Sequence, residues 1–138
     1  MRQTSRFPFR ERDAQFGEWS LMPYVPVQLS ANGMVLSVTA LLDTGASVNV
    51  MPYRMGEALG FVWEQQTTSL KLSGNLGQFE AKAVAIEALI EPFTPVLLAF
   101  AWTKEENAPL LLGQMNFFQE FEVCFFRAQR VFEIASRS

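Results

Sequence analysis

The chain has 138 residues, the length of one ordinary domain, and 49% of them are apolar against 18% charged, a balance typical of globular proteins. Its formal net charge of −3 gives no reason to expect a nucleic acid or an anionic membrane as partner. No histidine occurs, and Cys124 is the single cysteine. Catalysis by Ser-His-Asp or Cys-His groups is therefore excluded in its usual forms, and we expect no metal and no other cofactor.

Residues 1–18 are expected to form a flexible N-terminal arm, followed by one folded domain over residues 19–138. The arm carries four arginines and scattered phenylalanines that follow no period. An arm that docks on a partner subunit is the alternative. The arginine-bearing arm is not followed by an apolar segment typical of a secretory signal. The longest apolar run, residues 96–102, is far shorter than a membrane span. We therefore expect a cytoplasmic protein with no membrane partner.

The remaining residues predict mostly strands. Asn32-Gly33 is a strong two-residue turn signal, so residues 24–29 and 34–40 are expected to form a hairpin. The spacing of apolar residues favours two short helices, at residues 52–59 and 114–121. Further strands are expected at residues 67–72, 78–90, 95–102, 122–126 and 130–134, with a glycine-bearing turn at residues 73–77 between the first two.

The stretch from Leu41 to Val50 places Asp43, Thr44 and Gly45 between two apolar segments. Aspartate is disfavoured in strands and is almost never fully buried unless paired, so apolar flanks on both sides favour a carboxylate at the floor of a cleft. Asp-Thr-Gly is equally typical of a simple turn between two strands, and that alternative stays open on these residues alone. The only other aspartate lies in the arm, so no second aspartate of the folded part can join Asp43.

Three features in this order resemble the retropepsins, the single-domain aspartic proteases best known from retroviruses. They are the strand ending in Asp-Thr-Gly-Ala-Ser, the glycine-tipped hairpin about thirty residues later, and a Leu-Leu-Leu-Gly run before a short amphipathic helix. The resemblance spans about residues 25–134. It implies an all-β fold, a closed β-barrel of the acid-protease type with one or two short helices, and an active site at the two-fold axis of a homodimer.

The resemblance also implies a role for each matching residue. Asp43 is expected to be the catalytic carboxylate, with Thr44 holding two active-site loops together and Gly45 offering its backbone to the substrate. The expected substrate-binding residues line the cleft, form a flap over the bound peptide and wall the specificity pockets; they are Ser47, Val48, Gly74, Asn75, Leu76, Gly77, Pro109 and Leu111.

The function implied is that of an aspartic endopeptidase acting on peptide or protein substrates. Two Asp43 carboxylates, one from each chain of a homodimer, would share a proton and activate a water molecule. The alternative is a catalytically silent module of the same fold that binds peptide or protein in its groove, and an unrelated β-rich domain is a third possibility.

Two positions depart from the retroviral pattern. Retroviral members often carry an acidic residue two places after Asp-Thr-Gly and an arginine just after the later glycine. Here those places hold Ser47 and Gln114, so a neutral hydrogen bond is expected instead of an ion pair. The termini, which build the dimer interface in retroviral members, have no clear match in this chain.

Overall fold

The computed structural model describes residues 2–74 and 77–137, and most of these residues lie in strands. The strands, in chain order, are β1 (Thr4–Pro8), β2 (Arg10–Glu11), β3 (Leu21–Met22), β4 (Tyr24–Ala31), β5 (Met34–Leu42), β6 (Asn49–Pro52), β7 (Ser69–Gly74), β8 (Gly77–Leu89), β9 (Val96–Thr103), β10 (Leu111–Leu112), β11 (Phe121–Phe126) and β12 (Val131–Ser136). The α-helices are α1 (Tyr53–Ala58) and α2 (Phe117–Glu120), and single 3-10 segments occupy Ala14–Ser20, Trp63–Gln65 and Arg127–Gln129.

Seven of these strands form one sheet that closes on itself. The strand order is β4-β5-β10-β6-β9-β8-β7, and β4 also pairs with β8 at residues 28–30, which completes a ring of six strands with β7 added outside it. This is the closed all-β barrel with short helices that the family resemblance implies, and the prediction is confirmed. No helix in the described ranges is long and apolar enough to cross a membrane.

The hairpin of β4 and β5 forms where the sequence predicts it. Its two turn residues, Asn32 and Gly33, have φ values of 52° and 76°. Positive φ at both central positions defines the tight turn that matches the twist of paired strands, and asparagine and glycine tolerate it best. The Asn32 side chain also donates a hydrogen bond to the Leu59 carbonyl oxygen at 2.9 Å, which fixes the turn against the end of α1.

Helix α1 forms where the sequence predicts it, whereas helix α2 is shorter than predicted. Helix α1 follows Pro52 and ends just before Gly60, whose φ of 82° turns the chain away, as expected for residues 52–59. Helix α2 is a single turn rather than the predicted span of residues 114–121. The reason is that Met115 pairs with Val48 in a parallel bridge, and its carbonyl oxygen accepts from the Asn49 N–H at 3.1 Å, so that oxygen is not available to a helical turn.

The barrel interior holds a dense aromatic core. Trp102 is fully buried and stacks on Tyr53 with ring centroids 5.3 Å apart, and its indole N–H donates to the Tyr53 carbonyl oxygen at 3.0 Å. A Cβ atom at Gly56 would lie 2.2 Å from the Trp102 ring, so only glycine lets α1 pack at this depth. Phe117, the first residue of α2, packs on Phe121 with ring centroids 5.1 Å apart.

The N-terminal residues differ from the flexible arm expected over residues 1–18. Strand β1 pairs along its whole length with β12, and β11 lies on the other side of β12. Phe7 stacks on Phe132 at 5.4 Å, and the buried Phe9 meets the same ring at 5.7 Å. Phe7 and Phe9 are two residues apart, the spacing of one face of a strand, so both rings contact Phe132 of the neighbouring strand β12.

Residues 10–22 form a small projection that we call the hook. Strands β2 and β3 pair in it, with Arg10 opposite Met22 and Glu11 opposite Leu21. The 3-10 segment Ala14–Ser20 lies between the two strands.

Candidate active site

Asp43 comes directly after β5 and continues the pairing of that strand. Leu41 and Leu42 lie opposite Leu111 and Leu112 in a parallel pair, and the Asp43 N–H donates to the Leu112 carbonyl oxygen at 2.9 Å. Leu42 and Leu112 are both buried. The carboxylate is therefore carried by the end of a buried strand, a more rigid support than a free loop.

The turn that follows orients the Asp43 carboxylate. Its Oδ1 accepts a hydrogen bond from the Gly45 N–H at 2.9 Å, and the Ala46 N–H donates to the Asp43 carbonyl oxygen at 3.1 Å. A Cβ atom at position 45 would lie 3.3 Å from Oδ1, so a larger residue would crowd the carboxylate. Asp43 is half-buried, whereas Thr44 and Gly45 are exposed. In a single chain the carboxylate is thus oriented by the backbone and faces an open surface.

A second loop packs against this turn from the side of β10. The Gln114 and Met115 N–H groups donate to the carbonyl oxygens of Ala46 and Ser47, both at 2.9 Å. At Gly113, a Cβ atom would come within 2.6 Å of the Ala46 and Val48 carbonyl oxygens. The glycine of Leu-Leu-Leu-Gly therefore permits an approach of two backbones that any side chain would prevent.

Asn49 connects this contact to the barrel. It is completely buried, its Oδ1 accepts from the Gly113 N–H at 2.8 Å, and its Nδ2 donates to the Ala99 carbonyl oxygen at 2.9 Å. Asn116 extends the network, because its Oδ1 accepts from the Ala99 N–H at 3.1 Å and its Nδ2 donates to the Leu97 carbonyl oxygen at 3.2 Å. Sequence reasoning missed both asparagines, although a polar residue between Val48 and Val50 was a usable signal.

The expected neutral hydrogen bond at Gln114 has a different partner. The Gln114 Nε2 donates to the Thr44 carbonyl oxygen at 2.8 Å, and the Ser47 carbonyl oxygen accepts from the Met115 N–H instead. Gln114 therefore ties the second loop to the middle of Asp-Thr-Gly without a charge.

The remaining residues predicted to bind substrate are distributed over three places. Ser47 is exposed and Val48 half-buried in the segment that follows the turn. Leu111 is half-buried between Leu41 and Val50, and Pro109 is exposed just before it. Gly74 and Gly77 lie opposite each other at the end of the β7–β8 hairpin, and the predicted flap residues Asn75 and Leu76 lie outside the described residues.

Two open hollows of about 550 and 540 Å³ occur in the described part of the chain, and Asp43, Thr44 and Gly45 line neither of them. The first lies between β1 and the β4–β5 face, and the second lies on the hook. Among the described residues, no group of three or more His, Cys, Asp or Glu side chains could hold a metal ion.

A closed β-barrel with Asp-Thr-Gly at the end of a buried strand is the architecture of a retropepsin-like aspartic protease. The sequence matches the family model described as "gag-polyprotein putative aspartyl protease" over residues 27–120. The chain belongs to this family, because the match covers more than half of its residues. No curated protein matches the sequence.

Solved structures support the same fold. A retropepsin-like aspartic protease from Rickettsia conorii superposes with a TM-score of 0.67 at 13% identity, covering 99% of this chain and 94% of that one. EIAV protease, complexed with the inhibitor HBY-793, superposes with a TM-score of 0.57 at 17% identity, covering 71% of this chain and 86% of that one. At these identities the likeness establishes the fold.

We predict that Asn49→Ala lowers the free energy of unfolding by about 2 kcal/mol or more, because the buried Gly113 N–H and Ala99 carbonyl oxygen both lose their partner. Urea denaturation of the purified variant measures this. Asn107→Ala is the matched control, since Asn107 is exposed in a turn and its loss should change the free energy by less than about 0.5 kcal/mol. Equal stability of the two variants would contradict the role given to Asn49.

Proposed function

We propose that this chain is a homodimeric aspartic endopeptidase, which hydrolyses peptide bonds with a water molecule activated between two Asp43 carboxylates. The observation that carries the proposal is the position of Asp43, fixed by the Leu112 carbonyl oxygen on one side and the Gly45 N–H on the other. The other aspartate, Asp13, accepts a hydrogen bond from the Gln15 N–H in the hook and has a local role there.

The chemistry requires a second carboxylate beside the first. One carboxylate cannot act as general base and general acid in the same step, and hydrolysis by an activated water needs both. Two carboxylates about 3 Å apart share one proton, because both cannot be ionised at that distance. An isologous dimer brings the same residue to its axis twice, so a second copy of this chain would supply the second Asp43.

In the proposed reaction, the ionised Asp43 takes a proton from the water while the water oxygen bonds to the scissile carbonyl carbon. The protonated Asp43 of the second chain donates its proton to the carbonyl oxygen. The tetrahedral intermediate then collapses: the C–N bond breaks, the nitrogen leaves with a proton from the dyad, and the intermediate's hydroxyl returns one. The dyad finishes with the single proton with which it began.

In this proposal the surrounding residues take the following roles. Thr44 is exposed beside Asp43, where a second chain would meet it, and Gly45 presents its backbone to the same surface. Ser47 and Val48 continue from this turn toward the substrate. Pro109 and Leu111 would wall the specificity pockets, and Gly74 to Gly77 would form the flap.

The second candidate is a catalytically silent module that binds peptide or protein in the groove. It is favoured by one observation, namely that a single chain carries one Asp43 and hence half of a dyad.

For either function we propose a cytoplasmic location, because the one cysteine of the chain needs no oxidising compartment.

We predict that Asp43→Asn abolishes peptide hydrolysis and leaves the fold intact, because the amide keeps the size and the Oδ1 acceptor but cannot titrate. Hydrolysis of an unstructured protein at mildly acidic pH measures activity, and circular dichroism checks the fold. Glu106→Gln, the same chemical change at an exposed turn, should leave activity unchanged. Activity retained by a pure, folded Asp43→Asn sample would refute the catalytic assignment.

We also predict cleavage between apolar side chains. The proposed pocket residues Val48, Pro109 and Leu111 carry no charge, and burying an unpaired charge of the substrate against them is costly. Cleavage-site profiling on a peptide mixture derived from a whole proteome measures the preference. A clear preference for a charged residue on either side of the scissile bond would show that these residues do not form the pockets.

A further inference from the structure

The hook, residues 10–22, holds its shape through several hydrogen bonds. Ser20 Oγ donates to the Asp13 carbonyl oxygen at 2.8 Å and accepts from the Asp13 N–H at 3.2 Å, and the Arg12 N–H donates to the Ser20 carbonyl oxygen at 2.8 Å. Glu18 forms an ion pair with Arg130, at the turn between β11 and β12. These contacts hold the backbone of the hook.

This ordered segment exposes two large aromatic side chains. Trp19 is 93% exposed and Phe16 is 57% exposed, whereas Trp63 and Trp102, the other tryptophans, are 9% and 0% exposed. Tryptophan combines a large apolar area with little conformational entropy to lose, and it is enriched among the residues that dominate protein interfaces. A tryptophan held almost fully in solvent on an ordered segment is what an unoccupied docking surface presents.

The hook leads directly into the strand pair that carries Asp43. Strand β3 ends at Met22, and the next carbonyl oxygen, that of Pro23, accepts a hydrogen bond from the Leu42 N–H at 3.1 Å. Leu42 precedes Asp43 in the chain. A second copy that brings its own Asp43 to this carboxylate must therefore lie close to the base of the hook.

The hook carries features that suit pairing with a second copy of itself. Trp19 and Phe16 stand at the edge of an open hollow of about 540 Å³, which Arg12, Asp13 and Met22 also line. A two-fold axis pairs the same patch with itself, so a projection beside a hollow, and opposite charges side by side, can each meet their counterpart in the other copy. Arg12 and Asp13 supply those charges, and Arg12 has no ion pair within the described part of the chain.

We infer that the hook is a docking surface for a second copy of this chain, with Trp19 of each protomer packed into the hollow of the other and Arg12 facing Asp13 across the axis. The inference rests on the proposed two-chain active site and names the surface that would assemble it. Retroviral members often carry an acidic residue and an arginine at the positions of Ser47 and Gln114, and this chain has no such ion pair. In the inferred dimer, the apolar contact of the hook would supply binding energy that does not depend on that pair.

The first test is iodide quenching of tryptophan fluorescence over a wide range of protein concentrations, with sedimentation velocity on the same samples. Trp63 and Trp102 are shielded, so the quenchable emission comes from Trp19. We expect quenching to fall as the dimer forms, with one midpoint in both measurements. This readout uses the unmodified chain and does not depend on catalytic activity.

The second test compares two variants. Trp19→Ala should raise the dimer dissociation constant roughly tenfold or more, the effect of removing a dominant interface residue. Val35→Ala should leave it unchanged. Val35 is also an exposed apolar residue, at 60%, but it lies at the far end of β5, roughly 26 Å along the strand from Asp43.

The possible results are distinguishable. If iodide quenches Trp19 as strongly in the dimer as in the monomer, or if Trp19→Ala does not weaken the dimer, the hook is not the interface. Either result is compatible with the proposed shared active site. A chain that stays monomeric at every concentration overturns both. In a third outcome, Trp19 of a dilute, monomeric sample becomes protected from iodide only when an unstructured substrate is added. That result would make the hook part of a substrate groove and would also overturn this inference.

Discussion

The structure depends on the close contact between two backbones beneath Asp43. The residues around Gly113 lie against the segment 46–48 so closely that any Cβ atom at this glycine would meet carbonyl oxygens at 2.6 Å. Hydrogen bonds that Gln114 and Met115 donate, and the one that the buried Asn49 accepts from the Gly113 N–H, then fix this contact on both sides. Because the Asp43 turn is held by main-chain groups, its carboxylate is oriented before any partner or substrate arrives.

Much of this arrangement could be predicted because the signals were local. The Asn-Gly turn, the proline and glycine at the ends of α1, and the apolar flanks of Asp43 each act within a few residues. The contacts that no local pattern indicates are those between distant segments. Strand β1 pairs with β12, more than a hundred residues away, and the Asn49 network joins three separate stretches of chain. Helix α2 is shortened for the same reason, since Gln114 and Met115 pair with a distant loop.

A single chain provides an oriented carboxylate and an open surface around it, and the proposed function requires a second chain to close that surface. The family membership and the fold are compatible with this proposal, because this barrel carries one aspartate and a dyad needs two. The hook carries the exposed Trp19, and Pro23, the residue that follows the hook, accepts a hydrogen bond from Leu42 next to Asp43. Catalysis would then depend on the end of β5, and assembly on the hook that precedes β4, the partner strand of β5.

The most direct measurement is activity per chain when wild-type protein is mixed with an excess of Asp43→Asn chains and allowed to exchange, together with a dilution series of the wild type alone. If each active site takes one Asp43 from each of two chains, the mutant chains form inactive heterodimers and activity falls in proportion to their excess. Activity per chain then also falls on dilution below the dimer dissociation constant. Activity that is unchanged by exchanged mutant chains and constant across about a thousandfold dilution would mean that one chain contains the whole site, and would contradict the account.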